Sequence, residues 1–278
     1  MKKSLLARLL RAACLAYVGL VLLVACVQRS FIYHPFREPE SAQVTRATQT
    51  GMTPWRDAQG RLIGWKRAAR NAAPPANRLL VFHGNTGYAL HRTHFVRGFE
   101  SLDDRRTWEV YLFEYPGYGA RPGKIGEEPF IEAGLAALDT LAAADSRPIY
   151  LLGESLGSGL GSALAGRRPE VVRGLFLLTP YARMVDVAAA HMPWFPARWL
   201  LRDRWDNVAA LKTFHRPLAV LVAGQDEVLT AAQGHLIFEE YAGPKRLWVD
   251  ETASHNTIEH SIDTPWRREI SAFLLDAP

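Results

Sequence analysis

Apolar positions in this 278-residue chain arrive mostly as short unbroken runs ended by turn residues, with two longer stretches spaced as helices. Arg78-Leu79-Leu80-Val81-Phe82, Pro148-Ile149-Tyr150-Leu151-Leu152, Pro217 to Gly224 and Arg246 to Asp250 read as strands. The Pro217 to Gly224 run is apolar on both faces, as a parallel strand must be when helices cover the sheet on either side. Glu127 to Ala144 and Ser261 to Leu275 have helical spacing, so strands and helices alternate. The pattern predicts one α/β domain with a mostly parallel sheet, and the length suits a single large core. There is no internal repeat or low-complexity tract; the stretch from Arg70 to Asn77 reads as a strand connection.

A different pattern opens the chain. Ala12 to Val27 is apolar and follows Lys2, Lys3, Arg8 and Arg11, the build of a secretory signal or a short membrane span. The expected organisation is therefore residues 1–27 as signal or anchor and 28–278 as the catalytic domain. Positive charge ahead of the run keeps that side in the cytoplasm and puts the domain outside. Removing those four charges from the net +5 leaves +1 for the remainder, which is no nucleic-acid footprint. Both cysteines, Cys14 and Cys26, lie in this segment, so the domain has neither disulfide nor thiol chemistry.

Gly153-Glu154-Ser155-Leu156-Gly157 sits directly after the Pro148 to Leu152 run. A sharp strand-to-helix turn pushes its central residue into a strained backbone and leaves no room for side chains two positions to either side. Gly153 and Gly157 meet that demand, and the small residues Gly157 to Ala163 suit a helix packed close to a sheet. A serine hydroxyl needs a base, an orienting acid and an oxyanion hole to act as nucleophile. Asp226, at the carboxyl end of the Pro217 to Gly224 strand, is the expected acid. His255, in the loop after the next strand, is the expected base. The oxyanion hole is expected from the Leu156 and Asn85 N–H groups, with His83 bracing the Asn85 loop.

The strand ending His83-Gly84-Asn85-Thr86-Gly87, the Glu114 to Gly119 segment EYPGYG, GESLGSG, the GQDEV turn and the final Ser254-His255-Asn256 together resemble the α/β-hydrolase superfamily. The likeness runs from about Gln28 to the C-terminus and is greatest to single-anchor members of the ABHD type, some of them protein depalmitoylases. It implies the α/β-hydrolase fold, the chain order serine, acid, histidine, and no cofactor. In one departure, Val228-Leu229-Thr230 lacks the proline such proteins often carry after the acid turn. Gln28 to Pro35 resembles their membrane-proximal segment. Leu23-Val24-Ala25-Cys26 resembles a bacterial lipobox, in which Cys26 would be lipidated; a signal-anchor helix that happens to contain a cysteine is the other reading. Either places the domain in the bacterial cell envelope, outside the cytoplasm.

Between Tyr181 and His215 lies a cap-like insertion rich in aromatics. Tyr181, Trp194 and Trp199 are candidate pocket residues for an acyl chain; packing of the insertion on the core, or rest on the membrane, also accounts for them. Other chemistries fail on spacing. A dinucleotide loop would need glycine at Ser162, and a P-loop would need glycine at Tyr118 and Ser or Thr at Ile125. His91 and His94 share a helical face without a third ligand, so no metal site is expected. The sequence thus points to a membrane-tethered serine hydrolase acting on small or acyl-chain esters or thioesters. A peptidase on the same fold and a non-catalytic envelope binding protein are the alternatives; substrate and oligomeric state are not encoded in these motifs.

Overall fold

The computed structural model describes residues 2–67, 76–102 and 108–277. Most of the expected connection at 70–77 lies outside the described residues. The chain opens with helix α1 (Lys2–Ile32), followed by α2 (Glu40–Gln49). An eight-stranded sheet then takes β1 (Met52–Arg56), β2 (Leu62–Arg67), β3 (Asn77–Phe82), β4 (Trp108–Phe113), β5 (Ile149–Glu154), β6 (Val172–Leu178), β7 (Leu218–Ala223) and β8 (Lys245–Asp250). Its order is β8-β7-β6-β5-β3-β4-β2-β1. β8 to β4 are parallel in that order, and β2 and β1 are antiparallel additions at one edge.

Alternate residues of each strand feed two cores. Leu80, Phe82, Leu151, Leu175 and Val220 pack on one face with Leu138 of α4 (Glu127–Ala144) and Leu160 and Leu164 of α5 (Leu156–Arg167). Leu79, Val81, Leu152, Phe176 and Leu221 face the other way, onto Phe95 and Phe99 of α3 (Thr93–Glu100) and Ile270 of α10 (Pro265–Asp276). With both faces covered, the strands carry no polar side and read as continuous apolar runs. The last helix starts four residues later than its spacing suggests, because Pro265 has the fixed φ suited to a first helical turn.

After β4 the chain crosses β3 and returns as β5 on its other side, making the switch in strand order at which a crevice opens above the carboxyl ends. The ends there are flush: Phe82 pairs with Gly153, Glu154 with Leu178, and Asp250 with Ala223. Three short helices, α6 (Met184–His191), α7 (Ala197–Leu200) and α8 (Asn207–Ala210), fill the insertion between β6 and β7, and α9 (Ala231–Glu240) follows β7. The boundary expected at 27/28 falls inside a continuous helix. α1 runs unbroken to Ile32, and 28 of its residues, Leu5–Ile32, form a helix long and apolar enough to cross a membrane.

Candidate active site

Strand β5 ends at Glu154, and the chain turns into α5 through Ser155, whose φ of 51° lies in the left-handed region. Few side chains tolerate that backbone, and here it is held by the Ser155 amide donating to the Leu178 carbonyl at 2.9 Å. The flanking glycines are obligatory. A Cβ at Gly153 would overlap the Gly157 carbonyl, and one at Gly157 would overlap the Phe82 carbonyl. The turn therefore stands the Ser155 side chain at the floor of the crevice.

Two loops converge on it. His255 Nε2 is 3.0 Å from Ser155 Oγ, and His255 Nδ1 is 2.7 Å from Asp226 Oδ2. A carboxylate only accepts, so Nδ1 carries the proton and Nε2 is left to accept from the serine. Asp226 is fixed on its other oxygen, where Oδ1 accepts from the amides of Val228 (2.8 Å) and Leu229 (2.7 Å). Those donors give a physical meaning to the missing proline: a proline at 228 or 229 has no N–H to give. The acid and histidine loops are stitched together by Gln225 N donating to Ala253 O at 2.9 Å. Nearby acids are otherwise placed, since Glu227 is exposed and Asp250 Oδ1 accepts from the Thr252 and Ala253 amides of its own turn.

Asn85 and Leu156 both line the crevice beside Ser155. Leu156 is the first residue of α5, where an N–H has no partner within the helix. The Asn85 N–H belongs to the same trans peptide as the Gly84 carbonyl, and that carbonyl accepts from His83 Nδ1 at 2.7 Å. Fixing one end of the peptide aims the other, so buried His83 braces the loop. Two residues that sequence reasoning did not single out add to it. The Tyr115 hydroxyl donates to His83 O at 2.6 Å and the Tyr118 hydroxyl to Asn85 O at 2.8 Å. Their spacing within EYPGYG is the signal that could have found them. Arg92, on the rim, holds Glu154 with Nε 2.5 Å from Oε2. Burial is the largest single influence and works to raise the Glu154 carboxyl, but the Arg92 charge and hydrogen bond, with smaller help from His94 and His83, together outweigh it and leave the group below its ordinary range.

The crevice opens into a cavity of about 580 Å³. Its floor includes Ser155, Leu156 and His255, and its walls are mainly apolar, with Met184, Ala188, Met192 and Phe195 from the insertion. Of the three candidate pocket residues, Tyr181 lines it. Trp194 and Trp199 do not; they are 40% and 79% exposed on the outer side of the insertion, because Phe195 and Ala197 turn inward between them. The wall also contains Gln28, Phe31 and Ile32 of α1, from the segment expected to be membrane-proximal. Cys26 is exposed on the same helix.

A family model described as the alpha/beta hydrolase fold matches residues 77–211. An uncharacterized protein of Mycobacterium tuberculosis is 30% identical over 247 residues, covering 87% of this chain and 85% of that protein. The chain belongs to the α/β-hydrolase family. Among relatives of this α/β hydrolase, human alpha/beta hydrolase domain-containing protein 17B is 28% identical, with 67% of this chain and 63% of the relative covered. The lysophosphatidylserine lipase ABHD12 of Rattus norvegicus is 27% identical, with 70% and 52% covered. Est1E of Butyrivibrio proteoclasticus shares the fold at a TM-score of 0.64 and 17% identity, over 81% of this chain and 98% of the other. The α/β hydrolase is accordingly a hydrolase of the ABHD type.

Proposed function

We propose that this protein is a membrane-tethered serine hydrolase that cleaves carboxylic esters or thioesters through an acyl-enzyme. The observation that carries the reading is the unbroken hydrogen-bond chain from Ser155 through His255 to Asp226, at 3.0 and 2.7 Å, at the floor of an apolar cavity. Ser155 Oγ attacks the acyl carbonyl carbon while its proton passes to His255 Nε2, and the Asp226 carboxylate stabilises the imidazolium. The N–H groups of Leu156 and Asn85 receive the oxyanion. Collapse of the tetrahedral intermediate breaks the bond to the alkoxide or thiolate, which takes the proton back from His255. Water then repeats the sequence on the acyl-serine and frees the acid. The apolar helix Leu5–Ile32, with basic residues ahead of it, supports a tether that leaves the domain outside the cytoplasm. The relative named as a lysophosphatidylserine lipase favours an ester over a peptide. The test is labelling by a fluorophosphonate probe, expected in the parent protein and absent in Ser155→Ala; equal labelling of both refutes the assignment.

A further inference from the structure

One stripe of α1 is unlike the rest of the helix. Tyr17, Val21, Val24 and Gln28 recur every three or four residues and so share a face. Val21 and Val24 pack with Ala188, Phe195, Ala197 and Leu201 of the insertion. The Tyr17 hydroxyl donates to the Trp194 carbonyl at 2.9 Å. Gln28 donates to the Leu200 carbonyl at 3.1 Å and accepts from the Arg202 amide at 2.7 Å, and Arg29 grips Asp203 at 2.8 and 2.9 Å. Leu15, Val18, Leu22 and Leu23 are exposed away from this stripe.

The C-terminal turn of the helix then does something a simple tether need not do. Gln28, Phe31 and Ile32 stand in the cavity wall, and Phe31 is 53% exposed at its mouth. No slack follows. After buried Tyr33, the His34 amide already donates to the Asn85 carbonyl at 3.0 Å, and His34-Pro35 pairs with Thr86-Gly87 beside the oxyanion loop.

Helix length sets the depth of this assembly. The 28 residues Leu5–Ile32, at ~1.5 Å each, reach roughly 42 Å, more than the hydrocarbon core of about 30 Å that about 20 residues cross. The docked stripe, Tyr17 to Gln28, occupies the C-terminal part of that span, so it holds the edge of the insertion against the bilayer. Trp194 and Trp199 are exposed on that edge, where indoles prefer to sit.

We propose that α1 is a wall of the acyl site as well as the anchor: the single acyl chain of a membrane-borne ester lies between α1 and the insertion, its tail against Phe31 and Ile32 and its carbonyl at Ser155. This rests on the serine-esterase reading above. A cavity of about 580 Å³ is within the range of roughly 300–1,000 Å³ typical of one small ligand and suits one chain. The chain slides from lipid into a wall that is already apolar and already in the membrane, so its tail need not cross water.

The experiment uses the full-length protein in phosphatidylcholine vesicles and a dodecyl fluorophosphonate with a diazirine at the chain end. Ser155 Oγ displaces fluoride at phosphorus, and illumination expels dinitrogen to leave a carbene that inserts into whatever lines the tail. Adducts on Ser155 with cross-links in the peptide holding residues 28–32 are expected. A Ser155 adduct whose cross-links spare that peptide overturns the proposal while leaving the serine reading intact; no Ser155 adduct removes the serine reading and the proposal with it. Phe31→Trp should lower the kcat/KM ratio of dodecanoate to acetate p-nitrophenyl esters by about fourfold, the worth of one buried CH₂; an unchanged ratio speaks against Phe31 as wall. Brominated lipids should quench the parent fluorescence more than that of a Trp194→Phe, Trp199→Phe variant, and equal quenching overturns access from the bilayer.

Discussion

The floor and the roof of the cavity are built on different principles. The floor is backbone. Parallel strands end flush, two glycines allow carbonyls to approach where no Cβ fits, and each chemical group stands on the turn or loop that follows a strand. The roof is side chains. A six-residue apolar cluster and a few polar latches join α1 to the insertion across about 170 residues of sequence. On the proposed reading the two properties are set separately: chemistry by local backbone constraint, substrate choice by a long-range contact between α1 and the insertion.

The largest loss is expected at the floor. Ser155→Ala should lower turnover by about 10⁵- to 10⁶-fold, since a triad without its nucleophile retains only binding and oxyanion stabilisation. Circular dichroism and the thermal midpoint should not move, because the Ser155 turn is held by its amide rather than by its hydroxyl. Next is the acid. Asp226→Asn should cost about 10⁴-fold in kcat by presenting the histidine with the wrong hydrogen-bonding partner. Asp250→Asn should cost less than tenfold, since Asp250 is spent on its own turn. A larger loss at Asp250 would move the acid to β8.

Gly157→Ala tests the backbone claim itself. An added methyl meets the Phe82 carbonyl, which belongs to a central strand and has nowhere to go. Overpacking of this kind costs about 1–3 kcal/mol or more, and the turn should open with it. Urea unfolding and probe labelling should both fall; wild-type behaviour in both would mean that the glycine is there for some other reason.

The same division explains what was legible in the sequence. Ser155, Asp226 and His255 were legible as candidates because each lies in the turn or loop that follows an apolar run, where parallel strands deliver their carboxyl ends to the crevice. His83 was legible as a brace from its place at the end of β3. The roof left no such trace. Trp194 and Trp199 looked like pocket residues because aromatics attract that reading, yet the smaller Phe195 and Ala197 between them face inward. Gln28, Phe31 and Ile32 read as a membrane-proximal segment following the anchor, and nothing local to them announces a partner about 170 residues away. Helix α1 also runs five residues past Val27, since Gln28 and Arg29 find polar partners in the insertion and need no loop to reach water.

Beneath the floor, acid should do what mutation does above it, more gently. His94 and His260 pack with ring centroids 4.3 Å apart and planes tilted by 39°, among Glu154, Arg92 and Arg267. Burial first, and the neighbouring His260 second, press His94 down to about 3 from its ordinary 6.5. The folded state therefore leaves His94 neutral while the unfolded chain takes up a proton near pH 6.5. Its contribution to stability is complete above that pH and is lost progressively as pH falls toward 3. Between pH 7 and 5 the loss is about 2 kcal/mol at most. The urea midpoint should fall over that interval in the parent and fall less in His94→Phe; parallel profiles would exclude the pair as the source.

The smallest expected effect on stability is also the most informative about the roof. Arg29 is 45% exposed and Asp203 only 4%, so the two partners of this latch are not equivalent. Removing Arg29 leaves Asp203 with the Glu127 amide at 3.3 Å as a remaining donor, and the exposed guanidinium was already screened by water. Arg29→Ala should therefore cost about 1 kcal/mol or less in global stability. The floor, which the chain reaches only after α1 has ended, at His34-Pro35, should keep its rate of labelling by a small, short-chain fluorophosphonate within about twofold of the parent's. Long-chain esters should respond differently, because they need α1 and the insertion held at a fixed spacing and short ones do not. The signature of a separate roof is thus a fall in kcat/KM that grows with chain length while kcat on acetate barely moves. Equal losses on acetate and dodecanoate would show that the latch supports the whole site, and the division between floor and roof would then describe only how the parts are connected.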